Sequence, residues 1–426
     1  MGANDMPAPW SPARRILFRF VFAYVVLYLS PIPLTFIPPA ARLAKPYADL
    51  WNALVPWVGR HLFGVEITVQ PNGSGDTTYN YVQVFCFVVL AAAVAAVWTL
   101  LDRRRLSYDR LERWLRVGVR FSLAATMILY GSVKVIKSQF PDPPLDRLLQ
   151  PFGDASPMGL LWTFMGASAS YNVFSGAGEM LGGLLLTTRR TTLLGALVCV
   201  GVLGNVVVLN FSYDVPVKLF SCHLLALAVF LAAPDARRLV NFFILNRTAE
   251  PTPLRPLLKW KWPHRVLLLL RTAAVVAFVA LTLFQAHEMR STFGDGRPRS
   301  PLYGVWNVEE FAVDGEARPP LVTDTTRWRR VIFDGPEVLA VQLMGDSRRR
   351  YRLELNADEH TLALSKRDDP AWKSTLTFGE PEPGALVLEG TFEGRAVRAK
   401  LRRSDPSEFL LVSRGFHWIN EYPFNR

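Results

Sequence analysis

Seven apolar runs, 16–37, 81–101, 114–135, 171–186, 191–211, 217–233 and 266–284, limit what this chain can fold into more than any other feature. A helix crosses the hydrocarbon of a bilayer with about 20 apolar residues, and each run is close to that length. The charge of +12 would suggest a nucleic-acid partner if the basic residues were clustered on one soluble surface. Instead most of them lie between the runs, where they set topology. Arg14, Arg15, Arg103 to Arg105, Arg110, Arg113, Arg189, Arg190, Arg237, Arg238, Arg247, Arg255, Lys259 and Lys261 all fall on one side once the runs alternate in direction. The opposite loops hold Arg42, Lys45, Arg60, Lys137, Arg147 and few others. The positive-inside rule then predicts an N-terminus inside and a C-terminus outside.

The first run continues through Pro31, Pro33 and Pro38 without a small-residue cleavage site, so a retained helix is expected rather than a removed signal peptide. Between the first two runs, residues 47–63 place Leu50, Leu54, Trp57, Val58 and Leu62 at helical spacing. That pattern predicts a helix at the interface, with Trp51 and Trp57 at headgroup level. Residues 65–69 alternate like a short strand, and 71–75 read as a turn. Cys86, Cys199 and Cys222 each lie in an apolar run, with no CxxC spacing, and predict neither a disulfide framework nor a structural zinc.

The polar residues inside the runs are the main clue to function, because ionisable groups at membrane depth are costly. Tyr130, Lys134 and Lys137 share one helical face near the outer end of the third span. Asn172, Ser175 and Glu179 share a face in the outer half of the fourth. The fifth brings Asn205 and Asn210 to the same level, and the sixth starts outside with Asp214, Lys218, Cys222 and His223. Four helices thus bring polar groups to one depth. Glu179, mid-span, needs a cation or a proton, and Lys134 or His223 is its expected partner. Asp214 before Pro216 also reads as a helix cap, the lysines as snorkelling side chains, and Asn205 and Asn210 as interhelical glue. Gly178 and Gly182 form a small-xxx-small pattern that admits a neighbouring helix beside Glu179.

Gly131-Ser-Val-Lys134 at a span end, a polar loop, then Gly178-Glu179-Met-Leu-Gly182-Gly183 and Arg189/Arg190 before the next span resemble the four-helix core of the DoxX family over about 113–233. That resemblance implies a membrane subunit of quinone-linked oxidoreductase type, with quinone as the cofactor to expect. A fainter resemblance to the membrane part of vitamin K-dependent carboxylase-like proteins rests on the Lys-bearing helix end.

From residue 301 the periodicity becomes alternating. Strands are predicted at 303–311, 328–333, 338–343, 351–355, 361–364, 375–378, 385–388, 397–401 and 409–412, separated by turn pairs such as Asp314-Gly315 and Glu393-Gly394. Gly304-Val-Trp306 on the first strand, with Arg414 after the last, is similar to the lipocalin pattern in which a late Arg covers a Trp at the barrel base. The aromatic tail, 414–426, is expected to pack against the barrel or the outer mouth of the helices.

The expected organisation is a multi-pass α-helical membrane protein with about seven spans, followed by an extracytoplasmic antiparallel β-barrel-like domain. Its parts are a two-span region (1–112), the four-helix core (113–233), a cytoplasmic loop with the seventh span and a linker (234–300), and the β domain (301–426). A bacterial inner membrane, with the β domain in the periplasm, is the expected location. There is no GxSxG, GxxxxGK[ST] or HExxH. The leading functional expectation is an outer-half polar pocket for a small amphipathic molecule. Glu179 and His223 would handle protons, while Lys134, Lys218, Tyr130, Asn172, Asn205, Asn210 and Asp214 bind, with membrane lipid and a membrane redox partner alongside and no metal. The alternative is a non-enzymatic lipid-binding or assembly module that uses the barrel.

Overall fold

The computed structural model describes residues 9–30, 38–69, 72–251, 263–369 and 371–425. Residues 31–37, Pro71, Arg255, Lys259 and Lys261 lie outside them. The chain forms two compact units, Met1–Ile136 with Val173–Ala286 and Lys137–Asn172 with His287–Arg426. Residues 137–172, taken from within the 113–233 stretch, therefore group with the β domain.

The first unit is helical. Its helices are α1 (Pro12–Leu29), α2 (Pro38–Phe63), α3 (Thr78–Leu101) and α4 (Asp109–Val135), the greater part of α5 (Ala169–Leu186), then α6 (Thr192–Ser212), α7 (Lys218–Ala232), α8 (Ala236–Phe243) and α9 (Pro263–Phe293). Local chemistry sets several starts. Ser11 accepts the Arg14 N–H ahead of Pro12, and Thr77 and Asn80 form a reciprocal capping box at α3. Asp109 and Glu112 in the first turn of α4, with Lys134 in its last, match the helix dipole.

Among the described residues, four helical stretches are long and apolar enough to cross a membrane: Thr78–Leu101, Thr192–Ser212, Lys218–Phe243 and Arg265–Phe293. Run 16–37 as far as Leu29, and runs 114–135 and 171–186, are helical as α1, α4 and α5 but are shorter or carry more charge, with Arg19, Arg116 and Arg120 among their residues.

The helical core joins Val119, Leu123 and Met127 of α4 to Ala196, Cys199 and Leu203 of α6 and to Leu224, Leu227 and Leu231 of α7. A second cluster sets Trp51 and Val55 of α2 against Val82, Cys86 and Phe87 of α3. Trp51 is therefore a core residue, 3% exposed, while Trp57 at 58% stays outside. The strand predicted at 65–69 is irregular chain. Gly64 at φ +66° ends α2, the Val65 N–H returns to the Gly59 carbonyl, and Ile67 packs back on Gly59, so no partner strand is at hand.

The second unit contains a closed antiparallel barrel. Its strands are β1 (Gly304–Val313), β2 (Glu316–Ala317), β3 (Trp328–Gly335), β4 (Val338–Leu343), β5 (Arg348–Asn356), β6 (Thr361–Ser365), β7 (Lys373–Gly379), β8 (Ala385–Phe392) and β9 (Arg395–Arg403). Neighbours pair in order from β3 to β9. β1 pairs with β3 through its first residues and with β9 along most of its length, which closes eight strands and leaves β2 as an appendage on β1. Asp314-Gly315 and Glu393-Gly394 have positive φ at both positions, as two-residue hairpin turns require. Inward residues such as Trp306, Phe333, Leu339, Leu353, Leu362, Leu376, Leu386 and Leu401 fill the barrel.

Residues 409–412 are not a strand; Leu410–Ser413 is a short exposed helix. Once β9 has closed on β1, no edge remains to accept another strand. The tail stays largely exposed rather than packed, with Trp418 at 91%, and Arg414 lies 3.8 Å over the Phe424 ring centroid.

Segment 137–172 joins the barrel through charge and apolar contact. Asp146, buried, takes Arg350 and Arg348, and Asp334 accepts the Leu145 N–H at 2.9 Å. Leu145 packs with Val305, Ile332 and Ala340.

Candidate functional site

The predicted polar residues resolve into several local sets. In the helical unit, Lys134 near the end of α4 and Glu179 in α5 form a buried ion pair, 6% and 3% exposed. Of the two partners expected for Glu179, Lys134 is the one that meets it. Glycines make this possible. A Cβ at Gly176 would sit 2.7 Å from both the Gly131 carbonyl oxygen and the Lys134 Cβ, and one at Gly183 would sit 2.9 Å from the Ala124 carbonyl oxygen. The α4 and α5 backbones therefore touch, and Lys134 lies across Gly176 to reach Glu179 three residues on. Gly182 faces a different helix, with Cys199 Sγ of α6 at 2.8 Å from its Cβ position.

Lys134 donates to Glu179 Oε1, while Oε2 is enclosed and has no hydrogen-bond partner among the described residues. A carboxylate in apolar surroundings ordinarily uses both oxygens, so this open acceptor is the chemically available atom of the pair. Tyr130, one turn before Lys134 on α4, packs its ring 5.9 Å from Phe220 of α7.

His223 belongs to an aromatic set that sequence reading missed. Its Nδ1 lies 2.6 Å from the Leu219 carbonyl oxygen, which can only accept, so in the neutral ring Nδ1 carries the hydrogen. Nε2 is then free to accept from the Tyr24 hydroxyl at 2.6 Å, and the ring stacks on Tyr28 with centroids 4.2 Å apart. Tyr24 and Tyr28 lie four apart on α1, where only the helical period of the first run hinted at a shared face.

The other candidates have local roles. Lys218 pairs with Asp214 at 2.7 Å, and Asp214 itself is exposed at φ +50°. The cap of α7 is Asp76 instead, which accepts the backbone N–H groups of Lys218 and Leu219 at 2.7 and 2.9 Å. Asn210 donates to Ser221 at 3.0 Å, joining α6 to α7, while Asn205 faces outward. Asn172, fully buried in the second unit, donates to the Phe140 and Met165 carbonyls at 3.1 and 3.2 Å. Lys137 is held in that unit by Asp142 and Asp295.

In the barrel, the cation near Trp306 is Arg403 rather than Arg414. Its guanidinium carbon lies 5.9 Å from the indole centroid, and the Trp306 Nε1–H donates to the Leu302 carbonyl at 2.9 Å. Arg403 has this position because β9 pairs directly with β1, placing Arg403 opposite Trp306 in register. Gly304, at φ +149°, leaves the space in which Arg403 Nε lies 3.0 Å from where a Cβ would be.

No family model and no solved structure matches the chain. A curated relative, the uncharacterized protein YwoB of Bacillus subtilis (strain 168), is 30% identical over 156 residues, which are 35% of this chain and 96% of that protein. The chain belongs to the YwoB family. YwoB is matched nearly end to end, whereas most of this chain lies outside the match. YwoB is itself uncharacterized and lends this chain no activity.

Proposed function

We propose that this is a seven-span membrane protein of DoxX type, with its N-terminus inside and its barrel in the periplasm of a bacterial inner membrane. Its Lys134–Glu179 site binds a small amphipathic molecule of the quinone class. The observation that carries the reading is the enclosed, unpartnered Oε2 of Glu179 beside a buried ammonium. Together they offer an acceptor for a ligand hydroxyl and a donor for a ligand carbonyl, the two groups that a quinone exchanges between its oxidation states. Glu179 holds a proton at Oε2 when one is delivered, Lys134 keeps the carboxylate oriented, and Tyr130, one turn before Lys134, offers the ligand a further hydroxyl. A bound quinone would supply two-electron, two-proton chemistry, with electrons passing to a membrane redox partner.

The test is mass spectrometry of small molecules co-purifying with the wild-type protein and with Glu179→Gln, both checked for folding by size-exclusion chromatography. A quinone retained by the wild type and lost from a folded Glu179→Gln protein is the expected result. Equal retention by both, or no quinone in the wild type, overturns the reading.

A further inference from the structure

The β1–β2 and β8–β9 turns lie at one end of the barrel, where Val313 pairs with Val397. Beside the β1–β2 and β8–β9 turns lies a cavity of about 200 Å³, walled by Phe311, Trp328, Tyr351 and Phe392. The Trp328 and Phe392 rings meet edge to face at 4.9 Å, and Tyr351 meets Phe392 at 5.4 Å. This aromatic wall is large enough for one ring, since an apolar cavity of about 150 Å³ holds benzene.

Two features give the cavity a polar preference. Tyr351 is 2% exposed, and apart from an interaction with Arg349 its hydroxyl has no hydrogen-bond partner among the described residues, so its hydrogen is left to donate. Burial raises its pKa above the ordinary tyrosine value, so the hydroxyl remains a neutral donor at neutral pH. The same end carries Arg349, Arg395 and Lys366 with the carboxylates of Glu393 and of Asp314, which accepts the Ala396 N–H at 3.0 Å. Glu393 pairs with Arg349 at 2.9 Å and with Lys366 at 3.7 Å, and among the described residues no carboxylate pairs with Arg395. Arg395 is therefore the cation at this end left open to an anion.

We propose that this end of the barrel is a binding site for a small carboxylate that carries one aromatic ring or a short acyl chain. The apolar part lies against Trp328, Phe392 and Phe311, and the carboxylate accepts from Tyr351 and faces Arg395. The site is independent of the Lys134–Glu179 pair.

Titration calorimetry on the purified full-length protein tests this, with phenylacetate, hexanoate and the neutral phenylacetamide as probes. Saturable binding of an acid is expected, with phenylacetamide about tenfold weaker than phenylacetate or more. Saturation by hexanoate alone assigns the acyl-chain source, and by phenylacetate alone the aromatic one. Tyr351→Phe is expected to weaken binding about tenfold, as the loss of one hydrogen bond to a charged group would. Its barrel should stay folded, with a melting temperature close to that of the wild type, because the ring and its packing against Phe392 are kept. Arg395→Gln is expected to weaken acid binding and reduce its salt dependence. Failure of both acids to saturate, or unchanged affinity in a folded Tyr351→Phe protein, overturns the proposal.

Discussion

Lys134 and Glu179 stabilise one another only as a pair, because each is enclosed among apolar side chains. Replacing Lys134 with Met leaves a carboxylate buried without a cation, and breaking such a pair costs about 3–5 kcal/mol. Thermal unfolding in detergent should show that loss for Lys134→Met, and recovery of most of it when Glu179→Leu is added. A double variant as unstable as the single one would mean that the charges are not coupled. Asp334 behaves differently. Burial, reinforced by nearby Asp146 and opposed by Arg297 and Arg350, raises its pKa from 3.8 to about 6. The folded form therefore binds the proton more tightly than the unfolded chain, so the stabilisation is present below pH 4 and lost as pH rises through about 6. By this linkage the barrel with its 137–172 segment should lose about 3 kcal/mol across that window, and Asp334→Asn should flatten the dependence in a pH series of unfolding curves. Sequence reading selected Glu179 because a carboxylate in an apolar run stands out. It passed over Asp334 and Tyr351 because strand polar residues look alike until their burial is known.

Helices α4 and α5 approach one another backbone to backbone. A side chain at Gly176 would collide with the α4 backbone, so Gly176→Val should force the pair apart at a cost of about 1–3 kcal/mol or more. Gly118→Ala, where nothing lies within 4 Å, should leave the melting temperature of the same preparation unchanged or slightly raised. The small-xxx-small pattern at Gly178 and Gly182 was legible, but the contact with α4 uses Gly176 and Gly183. Residues in one helix point in all directions around it, and only the partner reveals which glycine faces which neighbour. Strand positions were legible from alternation, and the hairpin turns from their Asp-Gly and Glu-Gly pairs. The strand expected at 409–412 failed for a reason beyond local propensity, since barrel closure had used both edges. Gly390 belongs to the same scale. At φ +152°, with the Thr375 carbonyl oxygen 2.5 Å from its Cβ position, it lets β8 pass close to β7. Gly390→Ala should lower barrel stability by about 1–3 kcal/mol in denaturant melts.

At the scale of the molecule, the seven-span proposal makes the two termini lie on opposite sides. A reporter active only outside the cytoplasm, fused after Arg426, should be active, and a cytoplasmic reporter at the same place silent. The reverse result would require an even number of spans or an inverted orientation. The apolar runs, the change from helical to alternating period near residue 301 and the turn chemistry were all readable from residue order. They express local propensity and the need to remove apolar surface from water, which depend on short stretches of chain. The choice of Lys134 as the partner of Glu179, of Asp76 as the cap of α7, of Arg403 over Trp306 and of residues 137–172 as part of the barrel unit came only from tertiary structure. Each joins groups distant in the sequence, and an ion pair, a cap or a cation over an indole ring forms with whichever partner packing brings within a few ångströms.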